Sequence, residues 1–449
     1  MKEPEFTGAA PVSRPFTVSF AAVFAIAWPM TIAYMTTPLL GLVDTAVIGQ
    51  LGIAAALGGL AVGAVLFDVI LATFNFLRAS TTGLVAQALG RDDKAEQQKI
   101  FIRAMAVALA CGFGILFVGP LVLDVGLSWI KPSADVEKAT RTYFLIRLYA
   151  TPFAMANYVI LGWLLGLGKA GQGLVIQIFL NGINIVFSIY LGLVLELGIE
   201  GVAWATVLGE GLAIIFGLFI INHHFSFKNL QIITALKDRA KLLALMSVNR
   251  DIMVRSFCLL LAFAWFTGAG ARLGELTLAS NAILMHFFYI SGYFLDGFAT
   301  AAEQLVGRAI GAHYRPAFNR SVKLATFSGF ILAGGLTLVF LLAGPSLVDL
   351  LTVNEAVRAE ARIYLPWAAI TALVGVMAFQ MDGVFIGATW SADMRNMMLL
   401  SLAAFLFTIW IAVPYWGNHG LWLALQVFLG LRGITLWWRM KVNLKKVFG

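Results

Sequence analysis

Long, mostly apolar runs recur along this chain, and nothing else in the sequence constrains its fold as strongly. Crossing the hydrocarbon core of a bilayer takes about 20 such residues in a helix. By that measure about twelve spans can be drawn, at approximately 16–46, 54–88, 98–127, 138–167, 172–195, 199–222, 244–270, 276–311, 317–348, 358–388, 393–414 and 419–440. Hydrophobic residues make up 60% of the sequence and charged ones 12%, against roughly a quarter charged in a soluble domain. The fold class expected is an all-α membrane protein. The 44 glycines agree, because small residues let membrane helices approach closely. The first apolar stretch, about Phe16 to Val47, is far longer than the core of a signal peptide. It is expected to stay in the protein as a span. Both cysteines, Cys111 and Cys258, fall in apolar segments, so no disulfide framework is expected.

The net charge of +8 invites a nucleic-acid partner, but the basic residues cluster in loops between spans. GRDDKAEQQK, HHFSFKNLQIITALKDRAK, GAHYRPAFNRSVK and the tail RMKVNLKK follow even-numbered spans and hold most of the Lys and Arg. GQLG, LELGIEG and VPYWGNHG hold almost none, while KPSADVEKATR and NEAVRAEAR are mixed in sign. Positive loops mark the cytoplasmic side. Both termini and the even loops are therefore expected in the cytoplasm, with no nucleic-acid partner.

The chain also repeats itself. IGQLGIAAALGGLAVG near 48–63 aligns with GARLGELTLASNAILM near 270–285, and LVAQALG at 84–90 with LVGRAIG at 305–311. LLGLGKAGQ at 164–172 and GIEGVAWATVLGE at 198–210 find partners at 384–392 and 417–430. The offset stays at about 220 residues, the mark of a duplicated unit. Two pseudo-symmetric six-helix lobes follow, 1–222 and 244–449, joined by a cytoplasmic linker at 223–243. Six is even, so both halves enter from the same side, and the pseudo-symmetry axis lies along the membrane normal. This is transporter architecture, with the path expected in a central cleft between lobes.

Polar groups at membrane depth are functional candidates by default. Asp44, in GLVDTAVIGQLG, has no Lys, Arg or His within about ten residues on either side. Burial favours the protonated form of a carboxylate, so this group can load and release a proton; the alternative is a wet or capping residue near the helix end. The repeat sets Phe266 opposite Asp44, so the acid is not part of the shared scaffold. Pro29, earlier in the same span, removes a helical hydrogen bond and permits a bend. Asn184 and Ser188 lie four apart, on one face of span five, and Thr206 adds a hydroxyl in span six; taken alone, plain helix-to-helix hydrogen bonding is the favoured account of them. In the second half, Asp382 reads like Asp44, flanked by apolar residues in QMDGVFIG. Asp296 and Glu303 share a helix face. Any of these acids can instead be a strut paired with Arg255 or another cation. No Walker lysine motif, phosphate loop or His/Cys metal cluster is present in the sequence, so neither an enzyme nor a metal or cofactor is expected.

Taken together, PLLGLVDTAVIGQLG, FNFLRASTTGLVAQALG, NRDIMVRSFCL, LASNAILMHFF, YFLDGFATAAEQLVGRAIG and QMDGVFIGAT resemble the multidrug and toxic compound extrusion transporters, specifically the DinF-like branch. The resemblance runs over nearly the whole chain. It implies two six-helix lobes around a V-shaped cleft and a monomeric exporter of small organic, lipophilic and cationic compounds in a bacterial inner membrane. It implies that Asp44 binds the coupling ion, with Asn184 and Thr206 completing the site. Ser188 stands where some relatives have a second aspartate, which favours a proton over sodium as the coupling ion while leaving sodium open. Pro29 matches the bending proline. Asp382 matches a second-lobe carboxylate, with Glu303 and Asp296 as further candidates. The competing readings are a lipid-linked oligosaccharide flippase, disfavoured because the intramembrane charges are more acidic than basic, and a non-transporting membrane protein.

Overall fold

Backbone N–H and C=O groups in lipid have to be satisfied within the chain, and helices do this segment by segment. The computed structural model, described over residues 13–225 and 232–449, is accordingly helical nearly throughout. The first half holds α1 (Phe20–Gln50), α2 (Ala54–Phe74), α3 (Phe76–Gly90), α4 (Lys94–Ile130), α5 (Ala134–Leu148), α6 (Thr151–Gly166), α7 (Ala170–Ile189) and α8 (Gly198–Asn222). A π-helical turn, Tyr190–Val194, ends α7. A short helix, α9 (Ile232–Lys237), leads into α10 (Arg239–Arg272), α11 (Glu275–Gly311), α12 (Arg315–Leu351), α13 (Glu355–Gly387), α14 (Ser391–Trp416) and α15 (Asn418–Phe448). Among the described residues, 11 helical segments are long and apolar enough to span a bilayer, or 12 if the bent pair α5–α6 is one span. Two lobes result.

Several boundaries differ from the sequence reading. The second span is broken at Asn75 into α2 and α3. The fourth bends by 52° between α5 and α6, where Pro152 occupies the first turn of α6, a position that proline tolerates. The mixed-sign stretches read as loops at 131–141 and 354–362 are mostly helix, because α5 starts at Ala134 and α13 at Glu355. Asn354 caps α13, its Oδ1 accepting from the Ala356 and Val357 amides. The seventh span also starts sooner than expected. Asp238 accepts from the Lys241 amide at 3.1 Å, and that N-cap starts α10 at Arg239 rather than near 244. Residues 226–231 of the linker lie outside the described residues.

The halves meet where the repeat is strongest. Gly90 and Gly311, which the repeat makes equivalent, face each other where α3 crosses α11. A Cβ on Gly311 would sit 1.9 Å from the Gln87 carbonyl oxygen, and one on Gly90 2.1 Å from that of Arg308. Only glycine permits backbones this close. Around the crossing, Gln87 donates to the Gly387 carbonyl at 3.0 Å, and Tyr34 and Thr300 share a hydrogen bond of 3.0 Å. Phe24 meets Phe298 edge-on at 5.4 Å, and the Arg308 guanidinium lies over the Phe16 ring. All these contacts fall on the side of the even-numbered loops. Replacing Gly90 or Gly311 by leucine is expected to lower the thermal unfolding midpoint in detergent, by the ~1–3 kcal/mol of an overpacked core or more. Gly335→Leu, where no atom lies within 4 Å of the added Cβ, is expected to leave the midpoint unchanged.

Candidate functional site

The far half of α1 carries the sharpest polar group into a different environment from its near half. Thr36 accepts a hydrogen bond from Asn181 at 2.7 Å, anchoring α1 to α7. Two turns later Asp44 is buried, 6% exposed, and accepts from the Ser188 hydroxyl at 2.8 Å. That hydroxyl also lies 3.2 Å from Asn184 Oδ1, and Asn184 Nδ2 donates to Thr206 Oγ1 at 3.1 Å. Asp44, Ser188, Asn184 and Thr206 thus form one chain of contacts across α1, α7 and α8, as their spacing allowed. Asp44 forms no ion pair among the described residues. Oxygens are hard ligands suited to a proton or a small alkali cation. Ser188 has one hydrogen for two acceptors, so it cannot satisfy both at once. Among the described residues, no three His, Cys, Asp or Glu side chains gather to hold a metal ion.

The helix carrying Asp44 holds two prolines, Pro29 and Pro38, and runs unbroken through both. Each deletes one helical hydrogen bond. Sequence reasoning named Pro29 and passed over Pro38, although it lies only six residues before Asp44. Asn181 was also missed; its three- and seven-residue spacing to Asn184 and Ser188 was the available signal. So were Asn157 and Glu210, joined by a 2.6 Å hydrogen bond, and Arg147, which donates to Tyr143 at 2.9 Å and stacks over Phe67.

The second-lobe acids stand differently. Asp382, which the sequence made a twin of Asp44, is clasped by the guanidinium groups of Arg255 and Arg432. Arg432 is 2% exposed and comes from α15, fifty residues away in sequence. The likeness to Asp44 stops at burial: two counter-charges offset the desolvation of Asp382, whereas Asp44 is held by a neutral hydroxyl. Glu303, also 2% exposed, lies 3.5 Å from Arg78 of α3 and so joins the two lobes. Asp296 is exposed on α11 and forms no ion pair among the described residues, but its charge lies in electrostatic reach of Arg78, Arg255 and Arg432. Phe266, the repeat partner of Asp44, is buried against Trp422 with ring centroids 5.2 Å apart.

The MatE family matches residues 29–190 and again 252–413. Both segments are the same length and start 223 residues apart (252 − 29), which is the internal repeat. This chain belongs to the MatE family. It is a multi-pass membrane protein of a family of transporters, not enzymes. Its MatE relatives include DNA damage-inducible protein F of Escherichia coli K12, 38% identical over 94% of this chain and 92% of that one. The probable multidrug resistance protein NorM of Chromobacterium violaceum is 24% identical over 92% of both chains. Protein DETOXIFICATION 44, chloroplastic, of Arabidopsis thaliana is 24% identical over 93% of this chain and 81% of its own. Among solved structures, a MOP superfamily transporter from Pyrococcus furiosus superposes with a TM-score of 0.84 at 18% identity, covering 96% of this chain and 100% of that one. A multidrug resistance MATE family transporter in an outward-facing conformation gives 0.83 at 20% identity, covering 95% and 97%.

If Asp382 is a strut, removing its charge leaves two buried guanidinium groups facing each other. Asp382→Asn in this MatE protein is expected to destabilise by roughly 3–5 kcal/mol, read as a fall in the thermal unfolding midpoint. Arg432→Met, which leaves Asp382 paired with Arg255, is expected to cost less. Equal midpoints for Asp382→Asn and the wild type would remove the strut.

Proposed function

We propose that this transporter is a proton-driven antiporter that exports lipophilic organic cations by alternating access. The observation that carries the reading is Asp44: a buried carboxylate held by a neutral hydroxyl, with no ion pair among the described residues. Protonation there breaks no salt bridge; the nearby cation Arg147 acts on Asp44 only at longer range and is also faced by Asp68. Asn184, Ser188 and Thr206 reorganise their hydrogen bonds when the proton arrives, and Pro29 and Pro38 let α1 bend. Asp382 and Glu303 hold the scaffold through their arginines, and Asp296, in electrostatic reach of the same arginines, stays a second-lobe candidate. The lobes correspond to 1–222 and 244–449, the even loops and both termini face the cytoplasm of a bacterial cell, and the transporter works as a monomer. With the halves joined on the even-loop side, the cleft opens outward.

The mechanism requires proton and exported molecule to favour different conformers. A proton entering from outside neutralises Asp44, α1 bends, and the exported molecule leaves. Binding from the cytoplasmic side then favours the ionised state and completes the cycle. One charge crossing 100 mV is worth about 2.3 kcal/mol, and one pH unit about 1.4 kcal/mol. Together these sustain a gradient of several hundredfold. Exchange of one proton for one monovalent cation is electroneutral and feels only the pH term, about tenfold per unit.

A second reading, sodium coupling, draws on the oxygens of Asp44, Ser188, Asn184 and Thr206 standing in one chain of contacts. A single carboxylate gives a sodium ion less charge compensation than two, which favours the proton. Dye accumulation in everted vesicles separates the readings. An imposed pH gradient is expected to drive accumulation without sodium, and Asp44→Asn is expected to reduce it at least about tenfold, the scale of losing a proton-transfer group. The variant's thermal midpoint is expected to stay close to wild type, because Asn can accept from Ser188. Accumulation that follows a sodium gradient and ignores pH selects the second reading; wild-type accumulation in Asp44→Asn removes both.

A further inference from the structure

A cavity of about 310 Å³ opens between α12, α13 and α15, lined by Val322, Lys323, Thr326, Phe330, Met381 and Trp437 among others. Its volume sits at the small end of ligand sites. It runs along α12 from Lys323 to Phe330, a rise of about 10 Å. Its two ends differ. Lys323 stands where the long apolar run of α12 begins, and from there inward the lining is aromatic and thioether. Thr326 adds a hydroxyl that is buried without a hydrogen-bond partner among the described residues. A second ammonium belongs to the same end: Lys441 Nζ lies 3.4 Å from the ring centroid of Trp437, one of the lining side chains. That this end of α15 lies beside the start of α12 follows from Phe448, which meets Phe318 at 6.0 Å and His313 at 5.3 Å.

We infer that this groove seats an acyl chain of an anionic phospholipid, with Lys323 and Lys441 receiving its headgroup phosphate. The charge pattern selects the occupant. A basic rim at the aromatic belt, followed by an apolar trough pointing to the bilayer centre, complements a lipid with a negative head. A soluble peptide would have to enter the hydrocarbon to reach Phe330. Lysines at a membrane interface attract anionic lipid, and the indole face holds the Lys441 ammonium in place. Met381 adjoins Asp382, so the lipid backs the face of α13 next to the Asp382–Arg432 pair. The groove lies among helices of the second lobe, with its lining Phe327 meeting Phe20 of α1 at 6.2 Å, and the inference does not depend on the coupling ion or the exported molecule.

The test is native mass spectrometry of the purified full chain, titrated with phosphatidylglycerol or with phosphatidylcholine of the same acyl chains. The wild type is expected to hold phosphatidylglycerol about thirtyfold more tightly, the scale for two lysines at an anionic surface. Lys323→Gln combined with Lys441→Gln is expected to erase that preference while keeping the wild-type thermal midpoint in detergent. Thr326→Trp, which fills the trough, is expected to weaken both lipids. Equal binding of the two lipids by the wild type overturns the inference, and so does a preference that survives in the double lysine variant. A dimer mass that Thr326→Trp abolishes, meaning that a second copy covers the groove, overturns it as well.

Discussion

The division of α1 between two partners is the constraint on which the rest of the structure depends. Its near half belongs to the interface between lobes: Phe24 packs on Phe298, Thr31 abuts Gly297, and Tyr34 bonds Thr300. Its far half belongs to the first lobe alone, through Thr36 with Asn181 and Asp44 with Ser188. Pro38 lies within the far half, between Thr36 and Asp44, and removes a hydrogen bond there. A change in charge at Asp44 therefore acts on a helix whose other end is held by the opposite lobe. Under the proposed coupling role, that gives Asp44 mechanical purchase on the arrangement of the lobes.

The second constraint is the crossing of α3 and α11. The backbones approach so closely at Gly90 and Gly311 that side chains are excluded there. Around it, Arg78 and Glu303 supply a buried charge pair spanning the lobes. Such a pair is an uncertain source of net stability, because desolvation offsets the attraction. It is a specific one, since neither partner tolerates separation into an apolar interior. Under the proposed alternating access, packing between glycines with a charge pair at its edge suits an interface that holds firmly in one conformer and parts in another.

The spans, the repeat and the oxygen cluster were legible in the sequence because each rests on local spacing. Hydropathy over about twenty residues needs no tertiary knowledge. Asn184 and Ser188 share a face by helical periodicity alone, and Asp44 was conspicuous for the absence of neighbouring charge. The second lobe was less legible for a physical reason. Arg432 and Asp382 lie on different helices, and an apolar flank says nothing about a cation arriving from another span. The break at Asn75 was hidden because the apolar run continues through it. The bend between α5 and α6 had a signal in Pro152, which marks a helix start. The helical extensions at Ala134 and Glu355 were hidden by charge, since exposed first turns of helices and loops have similar composition.

The central claim is that the proton on Asp44 decides how the lobes are arranged. Spin labels at Ile53 and Leu276, both exposed and both on the odd-loop side in different lobes, report that arrangement directly by pulsed dipolar spectroscopy. In the wild type the interlabel distance distribution is predicted to shift between mildly alkaline and mildly acidic buffer. In Asp44→Asn, which mimics the protonated acid, it is predicted to keep the acidic form throughout. A variant whose distribution still follows pH as the wild type does would contradict the account.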